Sequence, residues 1–458
     1  MNRCSGVSLA SSVDGLAQPW VERIEHRAGE VAKVSRQGSL DRDGLEGVVT
    51  ETSMAAYRIV AERDGRVLPR PFRVAIIGAR GYPSTYGGYE TFVRTIAPWL
   101  RDHGADVTVY CRDAGMRFRK RSLDGISLID SPGLDSKSLS TLSHGFSACL
   151  HAATQHFDAV LVMNVANGYA LPFLRLRGIP IVLNVDGIEW ERSKWSRIAK
   201  AVFRVGARLS ARLSTELVVD AKALGPVWVN RFGVETNYIA YGAPVVADVD
   251  PTPVIAKGLE PGGYLLIVAR LAPENNVELW LDALDRLDHR YPTVVVGSAN
   301  YENPVEDRLR LLDRQHPNFH WLGHVSDQDL LTSLWAHAAI YLHGHSVGGT
   351  NPALLQALGA GCCVLAIDNA FNREVLQDDR SLVRADAEVI ATRIARMMGD
   401  PHLRTELAER GPDIITHRYA WDDVCKSYAE LLMQSARRTR QRSVSARLRR
   451  LVARKKKV

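Results

Sequence analysis

Short apolar runs alternate with helical stretches along most of this 458-residue chain, and this alternation constrains the fold more than any other feature. Each run is long enough for one strand and is followed by a polar or glycine-containing turn. Such a pattern is typical of buried parallel strands connected by helices. The runs lie at residues 73–77, 106–110, 159–163, 180–185, 264–268, 293–296, 338–342 and 363–367. The sequence therefore predicts an α/β protein with two Rossmann-like, doubly wound domains that face a central cleft.

A stretch rich in proline and aspartate, residues 244–261, separates the first four runs from the last four. The chain is also long enough for two hydrophobic cores. We predict four parts: a partly disordered extension at 1–70, a first Rossmann-like domain at 71–245, a second one ending in helices at 246–433, and a basic tail at 434–458. Within the helix expected after the first run, Pro98 predicts a kink or an early end.

The charge of the chain is concentrated at its end. Residues 437–457 contain eight Arg and three Lys and no acid, so without them the net charge of +7 becomes −4. Val444, Leu448, Leu451 and Val452 fall on one helical face among these cations. This is the pattern of a basic amphipathic helix, and it predicts a peripheral contact with an anionic membrane surface. A disordered solubilising tail is the alternative, and nucleic acid is not expected because no aromatic residues are interleaved.

Cysteine usage and hydropathy favour a cytoplasmic protein, and the basic tail predicts a peripheral position on the inner face of the membrane. The six cysteines are scattered, and none forms a C-x-x-C pair. This pattern suggests neither a disulfide framework nor a zinc ribbon and is consistent with reduced, intracellular thiols. No uninterrupted apolar run approaches the length of a membrane-spanning helix.

A glycine-rich turn at residues 78–88 connects the first predicted strand to the first predicted helix. Its glycines, with Gly87 and Gly88 at the helix start, would let a ligand approach bare backbone amides. A dinucleotide-binding fingerprint would need glycine at Arg80 and Pro83, so an NAD-dependent oxidoreductase is a weak alternative. A tight turn with no ligand is the other alternative.

Residues 345–352 (HSVGGTNP) follow a predicted strand and open a predicted helix. Asn351 suits the N-cap and Pro352 the first helical position. Before them, Gly348 and Gly349 would expose amide N–H groups toward one point, which makes a backbone cradle for a diphosphate. An ordinary capped helix is the alternative.

Two side chains extend this predicted diphosphate site. Gln356 lies one turn further along the same helical face as Pro352. Arg270 follows the strand at 264–268 and shares the carboxyl edge of the predicted sheet with the glycine loop, where an arginine can grip phosphate oxygens. An exposed arginine without a ligand is the alternative for Arg270.

Acids, bases and two indoles are crowded into residues 186–195 (DGIEWERSKW), after another predicted strand. Carboxylates can accept from sugar hydroxyls, and tryptophan rings commonly stack on sugars. The candidate cleft residues here are Asp186, Glu189, Trp190, Arg192 and Lys194. The alternative is an amphipathic helix start with its tryptophans in the core.

No metal is expected. Asp248 and Asp250 form a D-x-D pair, but it lies in the linker and does not follow a nucleotide-binding strand. His343 and His345 lack a neighbouring acid or cysteine. We expect His345 to donate a hydrogen bond to a bound substrate.

Taken together, these motifs resemble retaining glycosyltransferases of the GT-B fold, in glycosyltransferase family 4, and especially a bacterial rhamnosyltransferase-like subgroup in surface-polysaccharide assembly. The resemblance covers about residues 72–433 and is specific for the family because five motifs share its order and spacing. The motifs are GYPSTYGGYET at 81–91, DGIEWERSKW at 186–195, RLAPENN at 270–276, GGTNPALL at 348–355 and FNREVL at 371–376.

The resemblance implies that the second domain holds a nucleotide diphosphate sugar and the first domain holds a lipid-linked or polysaccharide acceptor. It implies transfer with retention and without a metal or other cofactor, the nucleotide sugar being a co-substrate. The residues it implies for catalysis are Arg270, Asp186 and His345. Those implied for donor binding are Gly348, Gly349, Thr350, Asn351, Gln356, Asn275 and Glu274. Those implied for the cleft floor and acceptor are Gly87, Gly88, Glu90, Glu189, Trp190, Arg192 and Lys194.

The sequence departs from the wider family at three of these positions. The family has two glutamates eight residues apart where this chain has Gly348 and Gln356, and a lysine where it has Asn275. Fewer charged groups leave an alternative function open, a catalytically impaired GT-B-like binding or scaffold protein in polysaccharide assembly. The subgroup points to dTDP-rhamnose as the donor, and an uncharged Gln356 is compatible with a deoxyribose that offers one hydroxyl fewer.

Overall fold

The computed structural model describes residues 59–63, 66–83, 88–113, 117–134, 140–192, 195–299 and 303–455. Within these ranges, two parallel sheets are flanked by helices, and a two-stranded antiparallel hairpin precedes them. The predicted α/β class with two Rossmann-like domains is confirmed. The expectations for residues 1–58 lie outside the described residues.

The first domain has an eight-stranded sheet in the order β10-β9-β8-β7-β3-β4-β6-β5, parallel except for the β5–β6 pair. The hairpin is β1 (Ile59–Arg63) and β2 (Arg66–Arg70). The sheet strands are β3 (Phe72–Ile77), β4 (Ala105–Asp113), β5 (Arg119–Leu123), β6 (Ile126–Pro132), β7 (Ala159–Met163), β8 (Ile181–Asn184), β9 (Glu216–Val219) and β10 (Asn237–Tyr238). The helices are α1 (Gly88–Asp102), α2 (Ser140–Thr154), α3 (Leu171–Leu176), α4 (Arg197–Leu213) and α5 (Leu224–Phe232).

The second domain has a six-stranded parallel sheet in the order β13-β12-β11-β14-β15-β16. The strands are β11 (Leu265–Val268), β12 (Thr293–Val296), β13 (Phe319–Gly323), β14 (Ile340–His343), β15 (Val364–Ile367) and β16 (Leu382–Val383). The helices are α6 (Thr252–Ile255), α7 (Val277–Asp285), α8 (Pro304–Gln315), α9 (Gln328–Ala336), α10 (Pro352–Gly359), α11 (Ala370–Leu376), α12 (Ala387–Met398), α13 (Pro401–Arg418) and α14 (Trp421–Lys455). Numbered within the domain, this is the 3-2-1-4-5-6 order of dinucleotide-binding folds, and its ligand crevice opens beyond β11 and β14.

The last helix returns to the first domain, although residues up to 433 were predicted to belong to the second. The side-chain amide of Asn184, at the end of β8, donates to the Tyr428 hydroxyl at 2.7 Å. The indole of Trp99 on α1 donates to Asp422 at 2.6 Å. Phe92 packs its ring 4.8 Å from that of Tyr428. This return depends on contacts between residues far apart in the chain, such as Asn184 and Tyr428, so no local motif predicts it.

Three local predictions differ from the structure. Folded chain begins before Phe72, where β1 and β2 pair and the Arg70 guanidinium makes two hydrogen bonds to Asp158, at 2.7 and 2.8 Å. Helix α1 continues past Pro98 to Asp102, because Ile96, Ala97 and Leu100 are fully buried on both sides of the proline. The predicted tail has no boundary at 434, since α14 is continuous through it.

Candidate functional site

The crevice of the second domain carries the two motifs that the sequence placed at one sheet edge. Arg270 follows β11 and its side chain is exposed, without an ion pair to any residue in the described part of the chain. After β14, Gly348 and Gly349 lead into α10, whose N-cap is Asn351. The Asn351 side chain accepts from the Ala353 amide at 2.9 Å, which confirms the predicted cap. The start of α10 and the Arg270 guanidinium both favour an anion in the crevice.

Asn275 connects these two motifs from beneath. Its side-chain Nδ2 donates to the Arg270 carbonyl at 2.7 Å, and its Oδ1 lies 2.9 Å from Nδ1 of His345. Because the carbonyl can only accept, the amide orientation is fixed, and Nδ1 of His345 must carry the proton. Asn275 and His345 are both buried. The amide therefore holds the backbone at Arg270 on one side and orients the His345 ring on the other.

His345 presents the opposite polarity to the one expected from sequence. Burial, followed by the charges of His343, Arg192 and Arg270, holds the pKa of His345 well below its usual value of 6.5. The ring is therefore neutral, and with the proton on Nδ1 its Nε2 is an acceptor. Nε2 lies 3.2 Å from the point that a Cβ on Gly348 would occupy. A bound hydroxyl at this loop would thus donate to His345, which corrects the expected donor role.

In the first domain, Asp186 follows β8 in a left-handed backbone conformation, with φ of 68°. Its amide donates to Oδ1 of Asn184 at 2.9 Å, and its Oδ2 accepts from Asn164 at 3.0 Å. Asn184 is the last residue of β8, and Asn164 comes directly after the neighbouring strand β7. They fix the carboxylate at the carboxyl edge of the first sheet, where it remains partly exposed.

Arg192 is buried against this edge and paired with acids. Its Nε lies 2.8 Å from Glu189 and its Nη2 3.8 Å from Asp186. Burial lowers the pKa of Arg192, but the carboxylates of Glu189, Asp186 and Glu274 outweigh burial and raise it. The guanidinium is therefore charged, and one of its acid neighbours comes from the second domain.

Glycines on both domains lie where the two domains approach each other closely. A Cβ on Gly187 would lie 2.8 Å from the Cα of Gly348. A Cβ on Gly88 would lie 3.2 Å from the Pro352 ring. Gly187 also has φ of 132°, a conformation that L side chains rarely adopt. Glycine is therefore required here for the Gly348–Gly349 loop to touch the first domain.

Asp220 is the site residue that the sequence analysis missed. It follows β9, and its carbonyl accepts from the Thr350 hydroxyl at 2.6 Å. Its carboxyl fills the space where a Cβ on Gly349 would stand, with Oδ1 only 1.7 Å from that point. Burial, followed by the charge of Asp186, raises the pKa of Asp220 well above 3.8. The available signal was its position directly after an apolar strand, which Asp186 shares, but β9 itself was not recognised.

Among the remaining predicted residues, Trp190 is not a stacking platform for a sugar. It is 1% exposed and lies in the core, with ring contacts to Trp228 and Phe232, because its short 3₁₀ turn, Glu189–Glu191, directs it inward. The acceptor role predicted for Trp190 is therefore wrong.

Three of the predicted acids, Glu90, Glu189 and Glu274, form hydrogen bonds within the protein through their side chains or backbone. Glu90 is buried and accepts from the Arg80 amide at 3.3 Å, and burial raises the pKa of Glu90. Glu189 accepts from the Trp195 indole at 3.1 Å in addition to its Arg192 contact. Glu274 is buried, and its carbonyl accepts from the amide of Ser346 at 2.9 Å.

Gln356 is half-buried one turn into α10. Gly87 and Lys194 lie outside the described residues.

Asp250 and His343, which the sequence analysis set aside as metal ligands, each have a hydrogen-bonding partner nearby in the chain. The Asp250 side chain accepts from the Thr252 amide at 2.9 Å, so it stabilises the turn that precedes α6. His343 is buried, and its Nδ1 lies 3.0 Å from the Tyr341 hydroxyl. Within the described ranges, no group of three or more His, Cys, Asp or Glu side chains is arranged to hold a metal ion.

Two family models match the chain, one for each domain. Residues 256–413 match "Glycosyl transferases group 1", and residues 72–244 match a domain of unknown function, DUF1972. No protein of curated function matches the sequence.

Solved structures with the same architecture cover most of the chain. A sucrose-phosphate synthase from Thermosynechococcus elongatus is 15% identical with a TM-score of 0.67, over 79% of this chain and 98% of that one. The Anabaena protein HepE in complex with UDP-glucose is 16% identical with a TM-score of 0.63, over 79% and 99%. The catalytic domain of starch synthase IV from Arabidopsis thaliana, bound to ADP and acarbose, is 12% identical with a TM-score of 0.61, over 80% and 99%.

The fold, the paired sheet edges and these matches define a class of architecture: the chain has the GT-B fold, and residues 256–413 in its second domain match the glycosyl transferases group 1 model.

Proposed function

We propose that the protein transfers a sugar, with retention and without a metal, from a nucleotide diphosphate donor to a lipid-linked or polysaccharide acceptor, as a member of glycosyltransferase family 4. One observation carries the proposal. The anion-binding crevice of the second domain, formed by Arg270 and the start of α10, opens directly onto the Asp186 edge of the first domain, with 2.8 Å separating the Gly187 Cβ position from Gly348.

The chemistry follows from the charges at this contact. As the bond from the sugar to the diphosphate breaks, negative charge develops on the leaving phosphate. Arg270 and the backbone amides of Gly348, Gly349 and Thr350 are preorganised donors at that point, and such donors lower the barrier. The acceptor groups opposite, Asp186 and Nε2 of His345, suit sugar hydroxyls.

We propose dTDP-rhamnose as the donor. A carboxylate can accept from both vicinal hydroxyls of a ribose, whereas a deoxyribose offers one fewer. A neutral Gln356 gives up a charge-assisted bond worth about 1 kcal/mol, and this loss matters less for dTDP. We further propose that the basic end of α14 holds the protein on the anionic inner face of the membrane, where a lipid-linked acceptor would lie. No helix in the described ranges is long and apolar enough to cross a membrane.

The test is transfer of radiolabel from a panel of sugar nucleotides to a membrane lipid extract by the purified full-length protein. We expect dTDP-rhamnose to be used and EDTA to have no effect. We also expect dTDP to raise the melting temperature at least as much as UDP or GDP. Selective protection by UDP or GDP would exclude the dTDP proposal. Activity that needs an added divalent cation would exclude the metal-free proposal.

The Arg270→Ala variant supplies the internal control. Loss of the charge-assisted grip on the leaving diphosphate should cost about 2–4 kcal/mol, a fall in kcat/KM of roughly 30- to 1,000-fold. Arg314→Ala, at an exposed arginine on α8, should behave as wild type. Near-normal kcat/KM for Arg270→Ala would remove this residue from the site.

A binding or scaffold protein without turnover is the second candidate. The observation that favours it is the Asp220 carboxyl, which stands against Gly349 where a phosphate would approach. Nucleotide protection against thermal unfolding, with no transfer from any donor in the panel, would support this candidate over the enzyme.

A further inference from the structure

Helices α2, α3 and α4 cover one face of the first sheet, and together they carry no acidic residue. Their sequences are STLSHGFSACLHAAT, LPFLRL and RIAKAVFRVGARLSARL. Seven cations lie on α3, just after it, or on α4: Arg175, Arg177, Arg197, Lys200, Arg204, Arg208 and Arg212. None of the seven forms an ion pair with a residue in the described ranges. This face is therefore strongly positive, although the chain without its tail is net acidic.

Exposed apolar side chains are interleaved with these cations. Leu176 is 86% exposed and Ile198 is 79% exposed, and Val205 continues the outer face of α4. Phe146 and Leu150 are exposed on α2, and the Phe146 ring packs edge-on against Phe173 of α3 at 4.9 Å. The inner face of α4 is buried through Gly206, Ala207 and Ser210. The outer face therefore carries apolar and cationic side chains together, because exposed aliphatic side chains are interleaved with arginines.

We infer that this α2–α3–α4 face docks on an anionic lipid bilayer. Aliphatic and phenyl tips can enter the boundary between headgroups and acyl chains, while the surrounding cations contact lipid phosphates. Each Lys or Arg near such a surface contributes favourably to binding, and seven act together here. Nucleic acid fits this face less well, because its exposed apolar groups are mainly aliphatic and offer few rings for bases to stack on. The inference goes beyond the proposed transferase function and involves residues other than those at the basic end of α14.

A vesicle-binding experiment with the full-length protein tests the inference. The variant is Arg204→Glu combined with Arg208→Glu, two exposed positions on α4. The matched control is Arg310→Glu combined with Arg314→Glu on α8 of the second domain, both also exposed. On vesicles of phosphatidylglycerol and phosphatidylcholine, we expect the α4 variant to bind at least about tenfold more weakly than wild type. The α8 variant should bind as wild type, and vesicles of phosphatidylcholine alone should bind none of the three.

An environment-sensitive probe locates the contact independently of the C-terminal helix. Ile198→Cys and, as control, Leu311→Cys are each labelled with a nitrobenzoxadiazole fluorophore in a Cys4→Ser background. The five described cysteines are buried and should remain unlabelled. Addition of anionic vesicles should shift the emission of the probe at 198 to the blue and leave that at 311 unchanged. Equal vesicle binding by the α4 variant, an unshifted probe at 198, or wild-type binding to single-stranded nucleic acid in place of vesicles would each overturn the inference.

Discussion

His345 depends for its polarity on a side chain 70 residues away in the chain, the amide of Asn275. That amide uses one end to hold the Arg270 carbonyl and the other to fix the proton of His345. In the family that the sequence resembles, a lysine stands at position 275. The exchange removes a cation from the crevice. The asparagine instead holds the Arg270 carbonyl and the His345 ring in position.

We predict that Asn275→Ala lowers kcat/KM about tenfold, since a neutral hydrogen bond that orients a functional group contributes about 1.4 kcal/mol. The sharper measurement is a double-mutant cycle with His345→Ala. If Asn275 acts through His345, the second substitution should add little to the first. Asn237→Ala, which removes a bond to the Leu217 carbonyl at the edge of the first sheet, is the control. It should cost similar stability and leave kcat/KM unchanged. Additive effects of Asn275→Ala and His345→Ala would contradict the coupling.

Asp220 lends itself to a pH measurement. Its pKa is raised by burial and by Asp186, so the folded state binds a proton more tightly than the unfolded state does. Stability contributed by such a carboxyl is therefore greatest below about pH 4 and is lost as the pH rises, by at most about 1.4 kcal/mol per pH unit. We predict that Asp220→Asn melts at a higher temperature than wild type at pH 8 and that the difference disappears near pH 4. Asp329→Asn, at an exposed position on α9, is the control variant.

At the scale of elements, the site is built from loops that follow parallel strands. Strands β8 and β9 deliver Asp186 and Asp220, and strands β11 and β14 deliver Arg270 and the Gly348 loop. Each side chain arrives at a carboxyl edge because parallel strands end on the same side of their sheet. The close contact of the two edges depends on glycine at 187 and at 348.

We predict that Gly187→Ala weakens donor use by separating these edges. The added methyl would stand 2.8 Å from the Gly348 Cα, so the diphosphate loop must move. Gly178→Ala is a matched control, since Gly178 also has positive φ but nothing within 4 Å of its Cβ position. Both variants should lose about 1–3 kcal/mol of stability through backbone strain. Only Gly187→Ala should raise the KM for the nucleotide sugar, and an equal KM in both variants would argue against the contact.

The central strands of both sheets could be predicted from sequence, because a strand buried on both faces reads as a continuous apolar run. β12 was placed at Thr293–Val296 without error, and β7 at Ala159–Met163 likewise. The missed strands are short or lie toward the edges of the sheets. β9 begins at a glutamate and has four residues, and β13 is mostly half-exposed. The apolar run of β9 is only three residues long, and the side chains of β13 face solvent in part, so the apolar signal is short in one strand and broken in the other.

Only those features of the site that depend on residues within a single motif could be predicted from the sequence. Asn351 was recognised as an N-cap because capping depends on neighbours in the sequence. The acceptor polarity of His345 and the place of Asp220 depend on residues 70 and 130 positions away. Trp190 shows the converse. An indole beside acids in sequence is compatible with a sugar platform or a core, and only tertiary packing decides between them.

On the scale of the whole molecule, the chain crosses between the domains twice, and the crossings lie side by side. Ala243 and Ala420 pair as an isolated parallel bridge, with the Ala243 amide donating to the Tyr419 carbonyl at 3.0 Å. Beyond that bridge, α14 lies along the first domain. Arg438 reaches Glu216 at 2.9 Å, and Arg440 pairs with Asp158. The first part of the predicted tail is therefore part of the folded first domain.

Two truncations separate the folding role of α14 from its proposed membrane role. A stop after Met433 removes the buried Ser435 and Ala436 and the Arg438 ion pair, so we predict a clear fall in melting temperature. A stop after Arg442 keeps all three and removes the seven Arg and Lys residues of 443–458. We predict that this shorter cut leaves the melting temperature unchanged and weakens binding to anionic vesicles at least about tenfold at low salt, with the difference vanishing at high salt. If the cut after Arg442 binds vesicles as the full chain does, the end of α14 is no anchor. If that cut also lowers the melting temperature, its last turns belong to the fold.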